Sequence, residues 1–190
     1  MVKKLVGHLV SLAPIGPECA EKWFEWLNDL DVALPLGDEA WQAITLENQK
    51  RVVGEIESGG NVVFSIVENA SEALVGRCIL FGINRVDGRG TVGVFLGDKT
   101  SWGKGCGEEA MRLLLDYAFL ILNLHSVNLG VFAFNTRARK CYARIGFRET
   151  GRRREIRRIA GKYHDAILMD ILENEYKPAY LHTTIDRIVS

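Results

Sequence analysis

The chain has 190 residues, 47% of them hydrophobic and 25% charged, the proportions of an ordinary soluble globular protein with one sizeable core. Lysine plus arginine equals aspartate plus glutamate at 24 each, so no global field draws the chain to nucleic acid or to a membrane surface. The four cysteines, Cys19, Cys78, Cys106 and Cys141, are scattered without a C-x-x-C pair, which excludes a zinc pattern or disulfide framework and favours a reducing, cytoplasmic setting. No stretch approaches the roughly 18 apolar residues needed to cross a bilayer.

The opening Met1-Val2-Lys3-Lys4-Leu5-Val6 has the charge-then-apolar order of a secretion leader. Gly7 and His8 interrupt it, however, and no small-x-small cleavage site follows, so a first strand over residues 6–14 is predicted instead. Pro17 then precedes an aromatic helix over 19–30, with Trp23, Phe24, Trp26, Leu27 and Leu30 at helical spacing. Residues 31–43 hold Pro35 and Gly37 and read as a loop. Thr45 starts a second helix, with Glu47 and Asn48 in its first turn and Gly59-Gly60 past its end.

Residues 61–67 and 74–83 are rich in β-branched side chains and bracket Asn69-Ala70-Ser71-Glu72, a hairpin signature. Asp87-Gly88-Arg89-Gly90 turns the chain into a third strand, 91–96. After a glycine-rich loop, Ala110, Met111, Leu114, Leu115, Ala118, Ile121 and Leu122 form one apolar helical stripe. A short strand over 126–132, a helix over 135–145 and a long hairpin over 148–172, turning at Ala160-Gly161, follow. The segment from Glu173 contains Pro178 and little periodicity. The organisation expected is a single domain, 1–175, with an unassigned tail, 176–190. The element order describes an α+β sheet, antiparallel at first, with one β-α-β crossover in its middle.

Two stretches carry chemistry. Trp102-Gly103-Lys104-Gly105-Cys106-Gly107 lies between a strand and a helix. Glycines at every second position let the backbone turn tightly and approach a ligand, and the helix start adds its partial positive charge, together a receptor for phosphate or pyrophosphate. A P-loop is excluded because Lys104 is followed by Gly105 rather than Ser or Thr, and the dinucleotide G-x-G-x-x-G spacing is absent. The second stretch is Asn135-Thr-Arg-Ala-Arg-Lys-Cys-Tyr-Ala-Arg-Ile-Gly-Phe147. Asn135 suits a helix N-cap; Ala138, Cys141, Tyr142 and Ile145 make an inward stripe; Gly146 and Phe147 end the helix and cover its end.

The first stretch resembles the R/Q-x-x-G-x-G/A signature of GNAT acetyltransferases, with Gly105 and Gly107 matching and Trp102 standing where the family has Arg or Gln. The second resembles the family pattern N-x-x-A/S-x-x-x-Y-x-x-x-G-F at Asn135, Ala138, Tyr142, Gly146 and Phe147. The resemblance implies a mostly antiparallel central sheet flanked by helices around a β-α-β acetyl-CoA-binding core. It implies acetyl transfer from acetyl-CoA to an amine, with no metal. By the same carry-over, Val94, Phe95 and Leu96 pair with the pantetheine arm and polarise the thioester. Trp102, Gly103, Lys104, Gly105, Cys106 and Gly107 hold the pyrophosphate; Asn135, Ala138 and Lys140 complete the cofactor site. Tyr142 becomes the acid that protonates the leaving thiolate.

No base is assigned, because Gly90-Thr91-Val92-Gly93 lacks the carboxylate that many relatives carry. Asp98 lies just beyond that strand, and Glu108 and Glu109 suit the dipole of the helix they begin. Cys106 at a helix start invites a lowered thiol pKa but has no His-bearing motif beside it, and is expected to be a bystander.

The terminal stretch, Gly146-Phe147-Arg148-Glu149-Thr150-Gly151-Arg152 with Gly161-Lys162-Tyr163-His164-Asp165 and Leu168-Met169, is similar to the branch holding ribosomal-protein N-terminal and spermidine N-acetyltransferases. The resemblance covers about residues 60–172. It implies a protein N-terminal α-amine or a small polyamine as acceptor, and a monomer or homodimer. Strand alternation places Arg152, Arg154 and Arg158 on one face and Arg153 and Arg157 on the other, a solvated run. Asp29, Asp31, Asp38 and Glu39 form an acidic surface that would welcome an amine. Trp23, Trp26 and Trp41 pack the first helices onto the sheet or line a groove. A non-catalytic acetyl-CoA sensor of the same fold is the alternative.

Overall fold

The computed structural model describes residues 2–56 and 60–189; Met1 and Gly59, which figured in the sequence reading, lie outside them. An eight-stranded sheet in the order β1-β2-β3-β4-β5-β6-β8-β7 organises the chain. Its strands are Leu5–Val6 (β1), Val10–Ala13 (β2), Val62–Glu68 (β3), Leu74–Asn84 (β4), Arg89–Leu96 (β5), Ser126–Phe132 (β6), Arg148–Ile159 (β7) and Lys162–Leu172 (β8). Every neighbouring pair is antiparallel except β5 and β6. The α+β class with a central β-α-β crossover is therefore as predicted.

Alternation along β4 sends side chains to two different cores. Cys78 and Leu80 face the main core with Met111, Leu113 and Leu114 of helix α4, Cys106–Asp116. Arg77 faces the other side, over Trp23 of helix α1, Cys19–Leu27. That second face holds the smaller core of Cys19, Trp23, Trp26, Leu27, Val32, Ile44 and Phe95. Trp23 and Trp26 thus pack the helices onto the sheet, whereas Trp41 is 57% exposed.

The first predicted strand is in fact two short ones. Glu109 of α4 accepts the backbone N–H groups of His8, Leu9 and Val10 at 2.9, 2.6 and 2.7 Å, which bends the chain between β1 and β2. The first helix likewise stops early. Asn28 donates its side-chain amide to the carbonyls of Phe24 and Ile44, and Asp29 caps a separate helix α2, Leu30–Ala33, by accepting from the Asp31 N–H at 3.0 Å. The predicted loop therefore contains α2 and a 3₁₀ turn at Asp38–Trp41. Thr45 does cap the next helix, α3, Leu46–Glu55, accepting from Asn48 N–H at 3.2 Å. The long stripe after the glycine loop does not stay α-helical throughout. It loosens into a π turn at Tyr117–Ile121, closed by Leu122 N–H to Tyr117 O at 3.1 Å.

Helix α5, Thr136–Ile145, follows β6 and carries Tyr142. The β7–β8 hairpin turns at Ala160 and Gly161, both with positive φ, as expected. A bulge between Arg153 and Arg157, where Glu155 takes φ 52° and donates its N–H to Asp165, breaks the simple alternation of arginines. Arg157 is consequently 2% exposed rather than solvated, its guanidinium 3.5 Å from the centre of the Trp41 ring. The acidic loop is partly neutralised, since Lys99 pairs with Asp29 at 2.7 Å and Asp31 at 2.6 Å.

The unassigned tail is ordered onto α4. Asp116, fully buried, accepts the N–H groups of Ala179, Tyr180 and Leu181 at 3.2, 2.7 and 2.8 Å and lies 2.6 Å from the Tyr176 hydroxyl. Tyr180 donates its hydroxyl to Glu109 at 2.9 Å, and helix α6, His182–Val189, follows. Glu109 is a clamp between the two ends of the chain, not only a dipole partner.

Candidate functional site

The site begins where two parallel strands part. β5 and β6 are in register at Arg89–Ser126, Gly90–Val127 and Thr91–Asn128 and separate beyond. Asn128 pins the fork, donating its side-chain amide to Gly90 O at 3.0 Å and accepting the Thr91 hydroxyl at 2.9 Å. Past that point β6 stays paired with β8 and β5 with β4, so among the described residues the facing edge from Val92 to Leu96 has no strand partner. A cavity of about 730 Å³ fills the fork.

Its walls collect the residues singled out in the sequence. Val94, Phe95, Leu96, Trp102, Gly103, Gly105, Cys106, Gly107, Asn135, Ala138, Lys140 and Tyr142 all line it; Lys104 is exposed and lies outside the lining. The glycine loop is positioned by Asp98, whose carboxylate accepts the Thr100 N–H at 2.9 Å and so caps a 3₁₀ turn at Lys99–Ser101. Asp98 is thereby engaged in the turn. Trp102 donates its indole N–H to Leu96 O at 2.9 Å, tying the loop to the end of β5. Gly103 and Gly105 have φ of 75° and 91°, left-handed values that strain any residue with a Cβ. Gly107 lies within α4 without such a φ, and a Cβ there meets nothing closer than Leu96 at 3.6 Å. Conformation explains two of the glycines, and an approach from the cleft is left to explain the third.

Asn135 caps α5 by accepting the Ala138 N–H at 3.1 Å. One turn further on, Tyr142 is 9% exposed and edge-on to Phe147, ring centres 5.9 Å apart. Burial raises its phenol above the usual tyrosine range, so it stays protonated. Cys106 is buried too, and burial raises its thiol, overturning the lowered pKa that its place at a helix start suggested. Glu108 binds Arg112 and Arg144, each at 3.0 Å, and so joins α4 to α5. Burial works to raise its carboxyl, but the Arg112 and Arg144 hydrogen bonds outweigh that and hold it below the ordinary value.

Sequence reasoning missed two cations of the cleft, Arg137 and Arg77, while Glu39 belongs to the acidic cluster it had named. Arg137 lays its guanidinium 4.2 Å over the Trp102 ring, bringing a cation to the place where the family motif carries Arg or Gln. Arg77 and Glu39 line the far end, toward α2. The signal for Arg77 was a lone arginine in the middle of a β-branched strand.

A parted parallel strand pair, a glycine turn opening a helix, and a capped helix bearing a buried tyrosine together define the acetyltransferase (GNAT) domain, whose family model matches residues 10–148. The chain belongs to this family. Among its relatives, an uncharacterized N-acetyltransferase, p20, from Bacillus licheniformis is 32% identical over 60% of this chain and 63% of its own length. The spermidine N(1)-acetyltransferase of Vibrio cholerae is 34% identical over 58% of this chain and 64% of its own, so the matches span just under two thirds of both relatives. The probable N-acetyltransferase YjcK of Bacillus subtilis is 33% identical over 67% of this chain and 73% of its own. The crystal structure of the V. cholerae spermidine enzyme in complex with CoA and spermine superposes with a TM-score of 0.80 at 24% identity, covering 88% of this chain and 98% of that one, a likeness of fold.

Proposed function

We propose that the protein transfers an acetyl group from acetyl-CoA to a primary amine, a protein N-terminal α-amine or a small polyamine, by direct attack while both substrates are bound. The observation that carries this reading is the convergence of the open β5 edge, the glycine turn and Tyr142 on one cavity. Residues 94–96 offer backbone groups for the amides of the pantetheine arm and an N–H for the thioester carbonyl, a small-molecule form of strand addition. The turn at Gly103 to Gly107 offers its amides and the α4 N-terminus to the pyrophosphate, and Lys140 and Arg137 are exposed cations at the same walls. Acetyl-CoA supplies the activated acyl group and needs no metal.

In the step itself the amine nitrogen forms a bond to the carbonyl carbon, the carbon–sulfur bond breaks, and the electron pair leaves on sulfur. Tyr142, buried and protonated, gives its proton to that thiolate and recovers one from the proton the amine releases, through solvent. Thiolate is already a fair leaving group, thiol pKa about 8.5, so alignment of the reactants contributes most of the rate.

The non-catalytic sensor reading draws on the absence of any carboxylate on β5 from Gly90 to Leu96. A Tyr142→Phe protein separates the two. Transfer predicts turnover lowered about 100-fold, the low end for loss of a general acid, with acetyl-CoA affinity nearly intact; a wild-type protein that binds acetyl-CoA yet releases no CoA with any amine would establish the sensor. Parallel melts with acetyl-CoA, CoA, ATP and NADH test the cofactor, with stabilisation expected from the first two alone.

A further inference from the structure

A second cavity, about 830 Å³, adjoins the first under α1 and α3, and Gly37, Glu39, Arg77 and Phe81 line both. Arg77 comes from the middle of β4, opposite Ser65 and Phe95, and is held between two rings, 4.7 Å from Trp23 and 5.1 Å from Phe95. Those rings restrict the guanidinium, and Arg77 lines both cavities. Among the described residues no carboxylate lies within ion-pair distance of it, although Glu39 acts on it from further away. Lys99, by contrast, has two carboxylates, and Arg152 has Asp165 at 3.1 Å. Deeper in the second cavity, Gln49 is 4% exposed and its side-chain oxygen has no hydrogen-bond partner. A polar ligand group would satisfy that amide.

Resting on the acetyl-transfer reading, we propose that Arg77 binds a carboxylate of the acceptor, which is a primary amine carrying that carboxylate rather than a bare polyamine. A planar guanidinium clamped by aromatic rings matches a carboxylate in two parallel hydrogen bonds. Glu39 at the same junction, with Asp31 in the first cavity and Asp38 in the second, complements the ammonium form in which such an acceptor arrives. A polyamine, positive at every nitrogen, would have to set an ammonium beside Arg77, and like charges at a part-buried site disfavour it. The carboxylate has two sources, a free amino acid or an acidic side chain near a peptide N-terminus.

The test measures CoA thiol release by the full-length protein with spermidine, spermine, free glutamate, β-alanine, and paired peptides with acidic or neutral second residues. Each acceptor is run with wild type, Arg77→Gln and Arg77→Lys. Carboxylate-bearing acceptors are expected to be preferred, free amino acids or acidic peptides according to the source. Arg77→Gln should raise their KM at least tenfold with kcat little changed, Arg77→Lys should recover part of the loss, and the stabilisation by acetyl-CoA should persist in both. If Arg77→Gln does not fold, the wild-type ranking and the lysine variant decide. Polyamines used fastest, with KM indifferent to either substitution, would overturn this assignment while leaving acetyl transfer in place. A wild type that is not stabilised by acetyl-CoA and releases no CoA with any amine would remove the transfer reading and this one with it.

Discussion

Replacing Gly107 with alanine adds one methyl group in the first turn of α4, where that glycine lines the cleft, and its two effects have opposite signs. In the unliganded protein the new Cβ contacts nothing closer than Leu96 at 3.6 Å, an ordinary van der Waals distance, and the residue needs no left-handed φ. Glycine in a helix is less stable than alanine by about 0.5–1 kcal/mol. A domain of this size shifts by about 2–4 °C per kcal/mol, so the free variant should melt roughly 1–4 °C higher. If the α4 start receives the pyrophosphate, the same methyl intrudes on it, and the affinity for acetyl-CoA should fall at least tenfold, about 1.4 kcal/mol. At acetyl-CoA equal to a hundred times the wild-type Kd, the ligand stabilises wild type by about 2.7 kcal/mol and the variant by about 1.4 kcal/mol. Thermal melts with and without ligand, backed by calorimetric Kd values, read both effects on one sample. Unchanged affinity would show that nothing approaches the backbone at Gly107, and the assignment of the turn to the cofactor would be refuted. Gly105→Ala is the control: with φ at 91° and Leu9 Cδ1 3.2 Å from its Cβ, it should lose about 1–2 kcal/mol of stability before any ligand is added.

Asp116→Ala removes the carboxylate that gathers the tail, strands three part-buried N–H groups and takes one partner from the buried Tyr176 hydroxyl; the loss should be about 2–3 kcal/mol in urea unfolding, with proteolysis opening first C-terminal to Tyr176. A loss under about 1 kcal/mol would show that the tail is not held there. Glu108→Gln weakens the α4–α5 link. Because the Glu108 side chain is 25% exposed and its partner Arg144 62%, screening limits the effect to about 0.5–1 kcal/mol. Its folded-state pKa is lowered, so this stability is fully present above the unfolded value of about 4.3 and lost as pH falls through the folded one. Wild type and variant should therefore differ at pH 7 and converge once the pH has fallen below the lowered folded-state pKa; an equal gap at both ends would assign the effect to packing.

The half of the cleft proposed to face the cofactor was legible because its determinants are local. Asn135 caps the helix of its own segment, Gly146 ends it at φ 121°, and Gly103 and Gly105 bend the loop they belong to, so each residue type reports its own backbone. What the sequence reading missed depends on partners far along the chain. The break between β1 and β2 is made by a carboxylate about a hundred residues away, the tail is ordered by Asp116, and Arg157 is buried because a bulge at Glu155 turns it under Trp41. Local pattern contains no record of such pairings.

The same division explains why the acceptor is the harder half to read. The proposed cofactor binding draws on main-chain groups, which every residue possesses, and therefore on a spacing of glycines and caps that a motif can record. The proposed acceptor choice rests on polar and charged side chains brought together by docking α1, α2 and α3 over β4: Glu39 from a 3₁₀ turn, Gln49 from a helix, Arg77 from a central strand. No spacing rule links residues 39, 49 and 77. Their juxtaposition leaves an aromatic-clamped cation with no carboxylate at ion-pair distance among the described residues. A guanidinium so placed needs an anion or water, so the acceptor's own charge is the quantity to vary first.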